Sequence, residues 1–382
     1  MHYLRDGLTE IRVAGISLRY VGVVLAIFFA VLCIGASFGG GCAFQVNQSR
    51  GALEYILRQD THNELRSLHA RINQAKSTHL ATNELTALTS RRDELQQSNE
   101  KFASYFRPAY GLVMAIFVGL VIIGGFRRIA ATASRIVPSM CALYVAMAIY
   151  VLITNAGQID DAFLAIWNGA FTAKGITGGV LGVMVIGIKR AAFSNEAGVG
   201  SASIAHAAAR TDEPIREGFV ALLEPFIDTV VICTMTGLVI VISGQALNSA
   251  NADLIANDEG AQLTALALES VQSWFPLVLG VAVLLFAFST MISWSYYGER
   301  CWTQLFGDRS SIVYKILFLF CVFFGAIITA TNVLQFSDLM ILAMALPNIL
   351  GLLLLNGKVR ASLRDYWRRY RLGDFEPHQP VS

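Results

Sequence analysis

The chain has 382 residues, of which 55% are hydrophobic and only 15% are charged, and its formal net charge is +2. A soluble domain of this size rarely carries so much apolar surface, and so small a net charge gives no electrostatic signature of a nucleic-acid-binding protein. Six cysteines, most of them in apolar runs and none in a C-x-x-C pair, indicate small hydrophobic side chains rather than a disulfide framework or a metal site.

Apolar runs long enough to cross a bilayer core recur along the chain. They predict eight transmembrane spans, at 20–47, 109–126, 136–154, 176–208, 218–243, 274–297, 312–331 and 335–356. The start, Met1 to Arg19, is polar and amphipathic, and the first apolar run is too long for a cleavable signal peptide. We therefore predict an all-α membrane protein with about eight transmembrane helices.

Basic residues in the short loops predict the orientation of the spans. They follow the second, fourth and sixth spans and fill the C-terminal tail: Arg127, Arg128, Arg135, Arg210, Arg216, Arg300, Arg309, Lys315 and the tail 358–382. Between Glu217 and Glu299 there is no basic residue. Because the basic loops share one side when the spans alternate, the pattern predicts a multi-pass protein of the plasma (inner) membrane with both termini in the cytoplasm.

Residues 51–108 differ in composition from the spans around them. Between Gly51 and Pro108 there is no further Gly or Pro, and polar and charged residues dominate. Apolar residues recur at helical spacing in both halves: Leu65, Leu68, Ile72, Leu85, Leu88, Leu95 and Phe102. We predict an external helical hairpin insertion with its turn near 77–83. The hairpin is interpreted as a solubilised spacer; a coiled coil that binds an external protein partner is the alternative.

The residues from Gly187 to Ala209 place polar side chains and glycines in the middle of a predicted span. They include Lys189, Arg190, Asn195, Glu196, Gly198, Gly200 and His206. Because a helix in lipid cannot leave backbone groups unsatisfied and charges there are costly, the pattern predicts a helix that breaks near the midplane and lines a cavity. The alternative is a glycine-kinked helix that packs on its neighbours through small residues.

Within this segment, FSNEAGVGSA at 193–202 and AHAAA at 205–209 resemble the signature of the alanine/glycine:cation symporters. The resemblance extends to FIDT at 226–229, FAFST at 286–290, WSYYGE at 294–299 and ALPN at 345–348, and it covers nearly all of the chain outside 51–108. It divides the chain into a cytoplasmic start and first span at 1–50, the hairpin insertion at 51–108, a transporter core at 109–357 and a basic tail at 358–382.

The resemblance implies a LeuT-like five-plus-five inverted-repeat transporter that couples alanine or glycine to Na⁺ or H⁺, with no cofactor besides this ion. It also implies an N-terminally truncated chain, because two family helices would precede Met1. An inactive fragment, and a non-transporting receptor or scaffold that presents the hairpin, are the alternatives. The chain contains no zinc-binding H-E-x-x-H motif, nucleophile elbow or P-loop, so we predict no enzyme activity.

The resemblance also assigns roles to individual residues. It places Gln45, Phe193, Asn195, Gly198 and Trp294 at the substrate, Ser289 and Thr290 at the ion, and Ser194, Glu196 and Gly200 at the helix break. Each role has an ordinary alternative. Gln45 bonds between helices, Trp294 belongs to an interfacial aromatic belt, and Ser289 and Thr290 bond back to their own helix. The acids Asp228, Glu224 and Asp338 are further candidates for ion or proton coupling, although a structural pairing is favoured for Glu224, which precedes Pro225.

Overall fold

The computed structural model describes residues 1–13, 16–77, 82–171, 180–248, 251–256 and 260–375. Regular structure in these ranges is helical, except for a short antiparallel pair of strands, Arg12–Val13 and Ile16–Ser17. Arg12 lies opposite Ser17, and Val13 opposite Ile16. This pair of strands lies between the first helix and the first long apolar helix.

The described residues of the first half of the chain form these α-helices: α1 (His2–Thr9), α2 (Arg19–Phe38), α3 (Phe44–Leu57), α4 (Gln59–Ser77), α5 (Thr82–Ile122), α6 (Gly125–Thr154) and α7 (Ile159–Phe171). Those of the second half are α8 (Val180–Ser194), α9 (Ala202–His206), α10 (Pro214–Ala221), α11 (Leu223–Pro225), α12 (Thr234–Ser243), α13 (Ala252–Ala256), α14 (Gly260–Glu269), α15 (Phe275–Phe306), α16 (Ser311–Gly325) and α17 (Ala330–Leu372). Wider π-helical turns join α2 to α3 at Gly39–Ala43 and α11 to α12 at Phe226–Cys233. Single 3₁₀ turns lie at Ala156–Gln158, Gln245–Leu247 and Asp308–Ser310.

Within the described ranges, six helical stretches are long and apolar enough to span a membrane. They are Arg19–Leu57, Asn83–Ile122, Gly125–Thr154, Pro214–Ser243, Phe275–Phe306 and Thr331–Leu372. Six of the eight predicted spans coincide with these stretches. The prediction of an all-α, multi-pass membrane architecture therefore agrees with the structure.

The two remaining predicted spans form shorter helices. The span at 176–208 divides into α8 and α9, and its first four residues lie outside the described ranges. The span at 312–331 is divided because α16 ends at Gly325 and α17 begins at Ala330. A helix of 15 residues, the length of α16, is about 22 Å long, which is less than a bilayer core of about 30 Å.

Helix α15 lies at the centre of the helix bundle, where it packs against α2, α3 and α6. Small residues allow this close approach, as is usual for helices in lipid. A Cβ atom added at Gly298 would lie 2.1 Å from the Tyr314 hydroxyl and 2.3 Å from Ser37 Oγ. Since Ser37 and Tyr314 share a buried hydrogen bond of 2.9 Å, Gly298 lets α15 rest directly on the contact between α2 and α16.

The predicted hairpin insertion contains α4 and about the first two thirds of α5, which pack against each other. Leu68 and Ile72 from α4 and Leu95 from α5 are buried, as their helical spacing requires. The predicted turn falls mostly on 78–81, outside the described residues. Helices cross both ends of the segment, because α3 continues through Gly51 and α5 continues through Pro108 into the membrane-length stretch.

Candidate functional site

The backbone leaves the helical conformation between α8 and α9, at residues 195–201. Glu196, Gly198 and Gly200 have positive φ angles of 55°, 83° and 102°. Residues other than glycine rarely adopt the φ angle of Gly200, and a Cβ atom there would lie 2.5 Å from the ring of Phe29. The predicted break residues Ser194, Glu196 and Gly200 therefore lie at the end of α8 and in the interruption itself.

The carboxylate of Glu196 is held by two donors. Trp294 Nε1 donates to Oε1 at 2.8 Å, and the hydroxyl of Ser201 donates to Oε2. Trp294 is only 3% exposed, so it lies inside the helix bundle and not in an interfacial aromatic belt. The hydrogen bond from Trp294 fixes the interrupted segment against the central helix α15.

The residues that follow α8 also contact the π-helical turn at Phe226–Cys233. Asn195 Nδ2 donates to Thr229 Oγ1 at 2.7 Å, and the Ala197 amide donates to Asn195 Oδ1 at 2.8 Å. Ser194 Oγ donates to Asp228 Oδ2 at 2.7 Å. Wide turns of this kind are frequent at functional sites. The break and the π-helical turn therefore form one polar patch with a carboxylate on each side.

Gly198 contributes its carbonyl oxygen, which accepts a hydrogen bond of 2.7 Å from Asn348 Nδ2. Asn348 is 4% exposed, and its Oδ1 accepts a hydrogen bond from the Tyr3 hydroxyl. Asn348 thus ties the break to both α17 and α1. Asn348 belongs to the ALPN motif, and an Asn after Pro347 in an apolar span is a recognisable signal of a functional position.

Two of the three consecutive glycines at 39–41 approach the aromatic residues that were predicted at the substrate, Phe193 and Trp294. A Cβ atom added at Gly41 would lie 2.3 Å from Trp294, and one at Gly40 would lie 3.4 Å from the ring of Phe193. The ring of Phe193 also meets Phe44 edge-on, with centroids 5.1 Å apart. Sequence reasoning missed these glycines, although a run of three in an apolar span indicates close contact with the backbone.

Gln45 lies on α3, one turn beyond these glycines. Its Nε2 donates to the carbonyl oxygen of Gly40 at 3.0 Å. The bond therefore stays within the local chain instead of joining two helices, which was the ordinary alternative. Asn47 on the same helix does reach a neighbouring segment, because its Nδ2 donates to the carbonyl oxygens of Gly325 at 3.2 Å and of Ile328 at 2.6 Å.

The predicted ion ligands Ser289 and Thr290 lie on α15, about one helical turn before Trp294. Ser289 is buried, and its hydroxyl donates to the Phe286 carbonyl at 2.9 Å and approaches Met140 Sδ at 3.6 Å. This is the back-bonded arrangement expected of a serine within a helix. Thr290 beside it is half-buried. Neither residue shares a hydrogen bond with the break.

The three acids suggested for coupling have different surroundings. Asp338 on α17 is 4% exposed and pairs with Lys189 at 2.5 Å and with Arg190. The carboxylate of Asp338 is thus a partner for the two basic residues on the apolar helix α8. A buried charge such as that of Asp338 requires such a pairing. Asp228 lies beside the break, whereas Glu224 is exposed. Of the three, Asp228 alone is hydrogen-bonded to a predicted site residue.

Comparison with known proteins gives a consistent result. The model of the sodium:alanine symporter family, a family of transporters, matches residues 1–379. The sodium/alanine symporter AgcS of Methanococcus maripaludis is 40% identical over 257 residues, which are 67% of this chain and 56% of AgcS.

Two bacterial relatives match a similar part of the chain. The probable sodium/glutamine symporter GlnT of Bacillus subtilis is 34% identical over 270 residues, 70% of this chain and 55% of GlnT. The sodium/proton-dependent alanine carrier protein of Bacillus sp. strain PS3 is 31% identical over 291 residues, 71% of this chain and 65% of the carrier. The matches thus span between 55% and 65% of the length of these three relatives.

Proposed function

Because this chain belongs to the sodium:alanine symporter family, we propose that it carries a small neutral amino acid, alanine or glycine, across a membrane together with Na⁺ or H⁺. Two relatives are named as alanine carriers, one coupled to sodium and one to sodium or protons. The proposal extends to a LeuT-like five-plus-five inverted-repeat fold, eight spans, an inner-membrane location and two cytoplasmic termini.

The helix interruption at 195–201 is the observation that supports this proposal most directly. An interrupted helix presents free N–H groups at one end and free carbonyl oxygens at the other, each with a partial charge. A zwitterionic amino acid needs both, since its carboxylate accepts hydrogen bonds and its ammonium group donates them. The carboxylates of Glu196 and Asp228 beside the break add sites for a cation or a proton.

The side chains around the interruption have the chemistry of a small zwitterion site. The amides of Gln45 and Asn195 both donate and accept hydrogen bonds without adding net charge, and the Gly198 carbonyl is a further acceptor. Phe193 and Trp294 limit the room for a substrate side chain. Discrimination from aromatic walls amounts to about 1–3 kcal/mol for each added methylene, which favours alanine and glycine over larger amino acids.

For the coupling ion we propose the hydroxyl oxygens of Ser289 and Thr290. Na⁺ is a hard cation that prefers oxygen ligands. The Ser289 hydroxyl donates a hydrogen bond to the Phe286 carbonyl. The lone pairs of the Ser289 oxygen therefore stay able to coordinate a cation. In a proton-coupled cycle these hydroxyls would not be required.

Uptake by the full chain in proteoliposomes tests the proposal. Radiolabelled alanine would be offered under an inward Na⁺ gradient, an inward H⁺ gradient and no gradient. We expect accumulation under one of the two gradients, and competition by unlabelled glycine. Asn195→Ala and Gln45→Leu should each reduce uptake about tenfold, because each removes a hydrogen-bonding amide from the site.

Asn155→Ala is the matched control. Asn155 lies at the end of α6, and its Nδ2 donates to the Val151 carbonyl of its own helix at 2.9 Å, so uptake should remain unchanged. If the folded chain shows no accumulation under either gradient, the proposed activity is wrong. If uptake occurs but Asn195→Ala and Gln45→Leu match the wild type, the assignment of the site is wrong.

A further inference from the structure

The last four turns of α17, which end at Leu372, have two different faces. On one face, Lys358 pairs with Glu10 at the end of α1. Farther along the same face, Arg369 pairs with Glu213, the residue before α10. This face of the helix is therefore bound to other parts of the protein.

The opposite face forms a shallow groove in which arginines lie beside apolar and aromatic side chains. The exposed fractions of Trp367, Tyr370 and Leu372 in this groove are 43%, 59% and 69%. Four arginines follow one another there at intervals of four, four and three residues, which places them on one side of a helix. They are Arg360, Arg364, Arg368 and Arg371.

This groove carries an excess of positive charge. No described carboxylate lines it, and of its four arginines Arg368 alone has an ion pair with a described residue, at 2.5 Å from Asp365. The residues after Phe375 lie outside the described ranges and contain one acid, Glu376. These two acids neutralise at most half of the four arginines. Exposed arginines are well solvated without a partner, so the charge alone does not identify a ligand.

The position of the groove identifies the ligand more closely, because the groove continues a lipid-facing stripe on the same side of α17. Leu346, Ile349 and Leu353 are 58%, 47% and 68% exposed in a stretch long and apolar enough to span a membrane. Arg360 follows Leu353 by two helical turns and about 10 Å, so it lies on the same side of the helix. The groove therefore begins near the depth at which the hydrocarbon core gives way to lipid headgroups.

The side chains of the groove have the chemistry of this depth. Tryptophan and tyrosine are enriched at membrane–water interfaces. An arginine side chain covers apolar surface with its stem while its guanidinium forms paired hydrogen bonds with a phosphate group. Clusters of four or more basic residues directly beside a transmembrane helix attract anionic lipids.

We propose that this groove binds the headgroups of anionic phospholipids in the adjoining leaflet. Arg360 and Arg364 contact the phosphate groups, and Trp367 packs among the headgroups beside them. The two arginines beyond them act through the surface potential, which extends about 8 Å into solution at physiological salt. Because the opposite face of the helix is paired with α1 and with the residue before α10, bound lipid also holds these segments at the membrane surface.

Limited proteolysis of the full chain in lipid nanodiscs tests this proposal without any transport measurement. The discs would contain phosphatidylcholine alone or a mixture with anionic phosphatidylglycerol. Chymotrypsin cuts after Trp367 and Tyr370, and mass spectrometry would follow both cuts. Because a bound helix end opens less often, we expect these cuts to be about fivefold slower in the anionic discs. The difference should disappear at high salt, which screens exposed charges.

Two variants and one control assign the effect to the groove. Arg360→Gln/Arg364→Gln should be cut at the same rate in both kinds of disc, because it removes the two charges nearest the headgroups. Arg360→Lys/Arg364→Lys should keep most of the protection, since it retains both charges. Arg71→Gln/Arg92→Gln is the matched control, because it removes two charges from the hairpin insertion and should stay protected. Equal cutting of all forms in phosphatidylcholine shows that the helix end is intact.

Several results would overturn the proposal. They are equal cutting of the unsubstituted chain in both kinds of disc, and unchanged protection of Arg360→Gln/Arg364→Gln in the anionic discs. Protection by inorganic phosphate in phosphatidylcholine discs would show a site for free anions and not for a lipid surface. Protection by polyglutamate without any protection by phosphatidylglycerol would point to an acidic protein partner instead.

Discussion

Glu196 shows how the helix break is stabilised at the level of single residues. Its backbone has a positive φ of 55°, which costs free energy for any residue other than glycine. Its side chain offsets this cost by accepting hydrogen bonds from Trp294 and Ser201. Trp294, which was predicted at the substrate, therefore also acts as a hydrogen-bond donor that positions the break.

Trp294→Phe separates these two roles, because it keeps an aromatic ring and removes the indole N–H. We expect the free energy of unfolding to fall by about 1–3 kcal/mol, because the substitution leaves Glu196 Oε1 without its donor. Alanine uptake should fall about tenfold. Unfolding in a denaturant titration of the solubilised protein, with uptake in proteoliposomes, measures both effects.

Trp302→Phe is the control for this prediction. Trp302 Nε1 donates to the neutral hydroxyl of Ser310 at 2.9 Å, on the same helix but away from the break. Its replacement should cost about 1 kcal/mol and leave uptake unchanged. Equal effects of the two variants would mean that the Trp294 bond has no special role at the break.

The sequence allowed the break to be predicted but not the bonds that hold it. Glycines next to Glu196 in an apolar run are a local signal, and local signals survive without knowledge of the fold. The bond from Trp294 joins residues 98 positions apart, and that from Asn348 to Gly198 joins residues 150 apart. Such pairs depend on helix packing, which periodicity does not specify.

At the scale of elements, the segment that follows the break is bound to the end of α17. Arg369 forms a two-pronged ion pair with Glu213, with its Nη1 2.5 Å from Oε1 and its Nη2 2.8 Å from Oε2. The ring of Phe219 on α10 lies 6.0 Å from Tyr366 and 5.8 Å from Trp367. The C-terminal part of α17 therefore limits the movement of the connector between the break and the next long helix.

Arg369→Gln should loosen this connector. We expect trypsin to cleave several times faster at Arg210 and Arg216, because the ion pair no longer holds the connector in place. Arg368→Gln is the matched control, since Arg368 pairs with Asp365 on its own helix. Similar cleavage rates for Arg369→Gln and Arg368→Gln would show that the ion pair with Glu213 does not restrain the connector.

The same ion pair should depend on pH in a defined direction. The hydrogen bond from Arg369 lowers the pKa of Glu213 below its ordinary value of 4.5. A depressed carboxyl pKa contributes stability above the unfolded pKa, and that stability is lost as pH falls through the folded pKa. The difference in Tm between wild type and Arg369→Gln should therefore be present at neutral pH, shrink as the pH falls below about 4.5, and disappear below the lowered pKa of Glu213.

At the scale of the whole molecule, the basic loops and the hairpin insertion are predicted to lie on opposite sides of the membrane. Helix α5 passes from the hairpin through an apolar stretch and ends beside Arg127 and Arg128. Those arginines share the side of the basic tail if the orientation rule holds. Hydropathy was sufficient for the six long helices, but it could not show the end of α16 at Gly325, where apolar residues continue without a helix.

Labelling with a membrane-impermeant maleimide tests this arrangement. We expect Ser90→Cys on the hairpin to be labelled in intact cells, because external sites are reached directly. Ser362→Cys on the tail should be labelled only after the membrane is permeabilised. Both positions are exposed, so the difference reports sidedness. The unsubstituted chain, which contains six native cysteines, sets the background. Labelling of both variants in intact cells would contradict the predicted orientation.

Helix α5 has a mechanical consequence for the molecule. With 41 residues it is about 61 Å long, roughly twice the thickness of a bilayer core, and it continues without interruption past Pro108. The part that belongs to the hairpin is therefore a lever arm about 40 Å long. If the membrane half tilted by about 10°, the far end of this arm would swing through about 7 Å. Small rearrangements among the packed helices would thus become large displacements outside them.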